Sequence, residues 1–202
     1  MIPFEDIKIF LPKYLSPDSE ENLFKALEEF PANLDDRLYT SYHKDDPIIF
    51  QGDGFNDFLV INFPNPKIDT APVMILSNSC DINPANERLF DSSICYAPIF
   101  KLNKYKESLL KRGKGKNKVE GHISEISRQR IAQIFYLPKN DKIKEDSFIF
   151  FDRIISSPTT CISKSRLKDI RLFTLSNYGL YLFLFKLSIH FTRIRENIDR
   201  DK

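Results

Sequence analysis

Residues 73–86 read VMILSNSCDINPAN: four consecutive apolar side chains, a polar Ser-Asn-Ser, then Cys80 and Asp81 side by side ahead of Pro84. A short apolar run closed by turn residues reads as a buried strand ending where the polarity begins. The flanking sequence extends this reading in both directions. Upstream, IIFQGDGFNDFLVINFP (48–64) holds β-branched and aromatic residues interrupted by Gly52 and Gly54 and closed by Pro64 and Pro66, which places a strand near Phe58–Phe63. Downstream, SICYAPIF (93–100) has the same character as APVMILS (71–77). The two predict neighbouring antiparallel strands.

Residues 101–138 differ in kind. Helical spacing lies on both sides of a glycine-lysine break, Ile123, Ile126 and Ile134 fall on one helical stripe, and Pro138 closes the segment. The expectation is a helical hairpin, over about 103–138, inserted between strands. SFIFFDRIIS (147–156) and RLFTLS (171–176) are further strand candidates. The chain then enters a helix from Ser176, a capping residue preceded by Leu175. That helix is apolar around most of its girth, with Lys186, His190, Arg193 and Asn197 forming one polar stripe. Near the start, Ser16-Pro17 followed by Glu20 and Glu21 begins an amphipathic helix with Leu23, Phe24, Leu27 and Phe30 on one face, ended by Pro31. Residues 1–46 thus read as an N-terminal extension, and 47–202 as a single domain.

Composition narrows the function classes. At 202 residues and 42% hydrophobic, the chain suffices for one substantial core. Thirty Lys and Arg stand against 28 Asp and Glu, so a surface for nucleic acid has to be local. Cys80, Cys95 and Cys161 contain no Cys-x-x-Cys pair, which suggests neither zinc nor a redox motif. The opening MIPFEDIKIF has acids where a signal peptide carries bases, and the longest apolar run, LYLFLF (180–185), is far short of the roughly 20 residues of a membrane span. These features predict a cytoplasmic protein without membrane contact, metal or cofactor.

The order of segments resembles the MazF/PemK toxins. Gln51-Gly52-Asp53 heads the first core strand, Pro72-Val73 through Ser77 forms the next, Ala97-Pro98-Ile99 follows, and Asp152-Arg153-Ile154 through Ser156 precedes a closing helix. The similarity covers about 51–100 and 147–191. It implies a small, strongly curved antiparallel barrel of SH3-like type within a mixed α+β chain that carries the helical insertion. It implies RNA as the ligand, an antitoxin or other protein partner, a homodimer, and a place in a bacterial toxin–antitoxin or defence system. The family commonly has an arginine before the Pro-Val and a hydroxyl side chain in the following strand. Ala71 and Ile99-Phe100 stand at those positions. None of these side chains donates a proton, so endoribonuclease chemistry does not carry over residue by residue. A non-catalytic binding module is the alternative that these departures favour.

Two groups of candidate site residues follow. Cys80 and Asp81 lie where a strand leaves the sheet, a position suited to a nucleophile only if an imidazole or cation lowers the thiol pKa. The reading favoured here is a small buried cysteine, with Asp81 bonding to the turn. Lys111, Arg112, Lys114, Lys116 and Lys118 form a glycine-containing basic run, extended by Arg128 and Arg130, that fits phosphates without reading bases. The competing reading is a solvated loop. On the last helix, Lys186 and His190 read as a solvent edge, and Asp53 as a turn residue.

Overall fold

The computed structural model describes residue 18 and residues 37–192 apart from 63, 65, 84, 87 and 163. The amphipathic helix read over 17–30, and Arg193 and Asn197 of the polar stripe, lie outside the described residues. The elements are β1 (Tyr39–Thr40), β2 (Gly54–Asn62), β3 (Lys67–Ile75), α1 (Ser79–Ile82), β4 (Ser93–Lys101), α2 (Leu102–Lys111) and α3 (Lys116–Ser127). They continue as β5 (Ile134–Leu137), β6 (Ser147–Phe150), β7 (Ile155–Pro158), α4 (Leu167–Ile170), β8 (Arg171–Leu175) and α5 (Asn177–Phe191).

The chain is mixed α+β around one open antiparallel sheet in the order β1-β8-β2-β3-β4-β6-β5, with β7 also pairing β4. The three strands read from sequence, β2, β3 and β4, are consecutive and antiparallel. Both faces of the sheet are covered, and this explains the unbroken VMIL run. Val73 and Ile75 enter a core with Phe55, Phe58, Tyr96 and Leu167, whereas Met74 and Leu76 point the other way into a core with Phe135, Phe173 and Phe183. A strand buried on both sides has no polar alternation to show.

Prolines and polar residues shape the sheet locally. Phe55 pairs Val73 and Phe58 pairs Ala71, so Asn56 and Asp57 together oppose Pro72. A bulge belongs there, because proline has no N–H to give the ladder. Asp57 takes φ 60 within it. The run 147–158 is broken in the same way. β6 pairs Ile99–Lys101 and β7 pairs Ser93–Tyr96 on the same strand, and the chain leaves the ladder at 151–154. The single strand expected over 147–156 is therefore two.

The insertion is helical only to Ser127. Gln129 adopts φ 57 and stops α3, after which Ile134–Leu137 forms a strand on β6. Ile126 and Ile134 do share a core, with Leu102, Tyr136 and Phe148, but from different elements. The apparent helical stripe came from common burial, not from one helix.

Ser176 caps α5 as expected, accepting from the Gly179 N–H at 3.0 Å. Gly179 itself lies against the Leu38 backbone, and a Cβ there would overlap the Leu38 carbonyl oxygen. Backbone cannot rotate away as a side chain does, so Gly179→Ala is expected to cost about 2 kcal/mol in urea unfolding. A change within 0.5 kcal/mol would show that α5 shifts freely. No helix among the described residues is long and apolar enough to cross a membrane.

Candidate functional site

Leaving β4, the chain passes directly into α2, so Lys101, Lys104, Ser108 and Arg112 recur at close to helical spacing on one side of this helix. That side walls a cleft of about 650 Å³ whose other borders are β4, β6 and the 142–145 loop. Six cations line it: Lys101, Lys104, Arg112, Lys142, Lys144 and Arg153. Glu145 is the single lining carboxylate among the described residues, and it is paired with Lys101. The volume is that of a small-ligand site, with the charge balance of an anion site.

The cations are not equivalent. Lys142 donates to the Arg171 carbonyl at 2.7 Å, and Lys144 to the Asp141 carbonyl. Among the described residues Lys104, Arg112 and Arg153 have no ion pair and no side-chain hydrogen bond, leaving their donors for a ligand. Aromatic rings form the floor. The Arg153 guanidinium lies 5.1 Å from the Phe100 centroid and 4.8 Å from that of Phe150, within cation–π range. Tyr105 packs on Phe148 and its hydroxyl meets His122 Nε2 at 3.1 Å. Burial pushes the Tyr105 phenol pKa up, against the opposing pull of Arg112 and Arg153. Tyr105 therefore stays neutral and serves as a hydrogen-bonding surface.

Pro72, Ile99 and Phe100 line the cleft, and Ala71 is adjacent in the chain. They supply apolar surface and no proton donor.

The basic run read from sequence is divided by the fold. Arg112 lines the cleft and Lys111 a smaller neighbouring hollow with Lys104. Lys114, Lys116 and Lys118 are exposed around the hairpin tip. Arg128 and Arg130 follow the far end of α3, about 18 Å away along a 12-residue helix, and Arg130 is paired with Glu125. Sequence reasoning missed Lys101, Lys104 and Arg153. The spacing of Lys101, Lys104, Ser108 and Arg112 was the available signal for the first two.

Cys80 is exposed, in the first turn of α1, so the expectation of a buried cysteine is overturned. Asn78 caps that turn by accepting from Cys80 N at 2.9 Å, which brings the chain back to the surface before Ile82 re-enters the core. Asp81 bonds Arg88 at 2.9 Å rather than the turn backbone. No imidazole bonds the Cys80 sulfur among the described residues: His43 engages Asp46, His122 engages Tyr105, and His190 packs on Phe151 and Phe191. The cation beside it, Arg88, donates to the Cys80 carbonyl at 3.3 Å and to Asp81, so the imidazole of a thiol–imidazole pair is what the site lacks among the described residues.

Two buried polar clusters were also read differently. Asp53 is fully buried and pairs with Arg171 at 2.6 Å, besides accepting from Phe50 N as a turn residue does. Lys186 is buried, not a solvent edge, and donates to the Gln129 carbonyl at 2.7 Å and Oε1 at 2.8 Å. Both are structural partners of the sheet, away from the cleft lining. No family model matches the chain, and no curated protein matches it.

Proposed function

We propose that the protein binds single-stranded RNA in the cleft between α2 and the β4–β6 surface, as a MazF/PemK-like barrel protein of a bacterial toxin–antitoxin or defence system. The observation that carries this reading is the cleft itself: three cations without an ion pair among the described residues, Lys104, Arg112 and Arg153, over a floor of Phe100, Tyr105 and Phe150. A positive groove with aromatic stacking surface is how proteins hold unpaired nucleic acid. Binding without cleavage is favoured over endoribonuclease activity, because Ala71, Ile99 and Phe100 offer no group to activate a hydroxyl. The antitoxin partner and the homodimer belong to this proposal through the family resemblance alone.

The double variant Lys104→Gln/Arg112→Gln tests the assignment. By fluorescence anisotropy with a single-stranded RNA, its affinity should fall tenfold or more. The slope of log K against log salt should become shallower by about 1.4, roughly 0.7 for each lost phosphate contact. An unchanged slope would remove these residues from the interface. The RNA should emerge intact from prolonged incubation with native protein, and growth arrest with fragmented RNA on induced expression would establish cleavage instead.

A further inference from the structure

Arg153 is held in an unusual way for a residue that only adds charge. β6 ends at Phe150 and the chain leaves the ladder, which swings the 153 side chain back over the strand it has just left. Its guanidinium rests over both Phe100 and Phe150, whose rings meet edge-on at 66° with centroids 5.7 Å apart. The guanidinium is thus within cation–π range of both rings, while the residue is exposed and borders the cleft. No carboxylate pairs with it among the described residues, so the two rings are what its guanidinium rests against.

A guanidinium plane backed by rings is a preorganised surface for another flat π-system, and the rotamer freedom of the arginine is already reduced before a ligand arrives. Unpaired bases offer such a face; bases inside a helix have both faces covered by their neighbours. We infer that Arg153, supported by Phe100 and Phe150, is a stacking platform for one unpaired base and is the residue that makes the cleft prefer single strands to duplex. This rests on the RNA-binding reading and adds to it the identity of the selecting group. Lys104 and Arg112, two helical turns apart on the α2 wall, then hold the sugar-phosphate chain on either side of the stacked nucleotide.

Arg153→Lys separates stacking from charge, since lysine keeps the cation and loses the plane. The probes are a 12-nucleotide RNA carrying 2-aminopurine and the same strand annealed to its complement, each titrated at several salt concentrations. Native protein should bind the single strand at least tenfold more tightly and change the 2-aminopurine emission on binding. The variant should lose about tenfold in single-strand affinity together with the emission change, with duplex affinity and salt slope kept. Because Arg153 is exposed and Lys retains its charge, the variant should fold, and an unaltered circular dichroism spectrum checks that. Equal native affinity for strand and duplex, or an Arg153→Lys protein indistinguishable from native, overturns the platform while leaving RNA binding in place. Failure of the native protein to bind either probe overturns the RNA reading and the platform together.

Discussion

Replacing Arg171 with methionine is expected to remove about 3–5 kcal/mol of folding stability at pH 7, the scale for stripping one partner from a buried ion pair. Arg171 is 2% exposed and reaches four groups from one position on β8: Asp53 Oδ2, Thr174 Oγ1, and the carbonyls of Asp46 and Ile48. It thereby ties the 46–50 segment and the Gln51-Gly52-Asp53 turn to the sheet. Gly52 takes φ 86 in that turn, and its N–H donates to the Ile75 carbonyl, so the end of β3 is fixed by the same cluster. The pair is not bidentate. Asp53 Oδ1 and Arg171 Nε lack partners among the described residues, and the desolvation of both groups is incompletely offset.

Burial holds the Asp53 carboxyl at about 6, above its ordinary 3.8, despite the pull of Arg171 and the Phe50 amide. The folded state therefore binds this proton more tightly than the unfolded chain does. Its contribution to stability falls as pH rises from about 4 to 6 and is level above that. In Arg171→Met the carboxyl loses its countercharge, so the loss should be larger at pH 7 than at pH 5, where native Asp53 is already protonated. Asp53→Asn should cost less, because the guanidinium keeps Thr174 and both carbonyls. The double variant should recover part of the Arg171→Met loss by leaving no unpaired buried charge. Urea unfolding at the two pH values decides the matter. An Arg171→Met loss below 1 kcal/mol, or one equal at both pH values, would contradict this account.

What the sequence reveals here is local, and what it hides is held together over long chain separations. The VMIL run, the Gly-broken strand before it and the Ser176 cap are each set by a few adjacent residues, and they fall where periodicity and capping chemistry predict. Residues 134–137 failed that test, because four apolar residues after a helix fit either period, and only pairing with β6 decides for a strand. Asp53 and Arg171 are 118 positions apart, and Lys186 and Gln129 are 57 apart. No spacing rule joins them. Lys186 looked like a solvated lysine on a polar stripe because its acceptor is supplied by the left-handed end of a different helix. The cleft was half legible. Arg112 was seen as part of a charge run, whereas Lys104 and Arg153 come to it from α2 and from the break after β6, a meeting that depends on the pairing of β6 with β4.

The stability difference between native protein and Lys186→Met should depend on pH, and strongly. Burial presses the Lys186 ammonium pKa down to about 7 from an ordinary 10.5, and among the described residues no carboxylate pairs with it to oppose this. Below pH 7 the lysine is protonated in both folded and unfolded chains, and the fold carries the whole cost of burying a charge. Between 7 and 10.5 the folded lysine is neutral while the unfolded one is still charged, so the unfolded state holds more protons and native stability rises with pH. Relative to Lys186→Met the gain should approach 1.4 kcal/mol per pH unit, or about 2.5 kcal/mol from pH 7.5 to 9.5. Tyrosines whose phenols are buried, such as Tyr178, titrate above this range and occur in both proteins, so they cancel. The amine's acceptors explain why a lysine is worth its cost at neutral pH. Gln129 holds the Tyr136 N–H and carbonyl at 3.0 and 2.8 Å, so Lys186 fastens the end of α3 and the edge strand β5 to α5. Methionine fills the space and leaves the Gln129 carbonyl without its donor. A difference between the two proteins that stays constant from pH 6.5 to 9.5 would mean that Lys186 keeps its charge in the fold, with water reaching it beside Gln129.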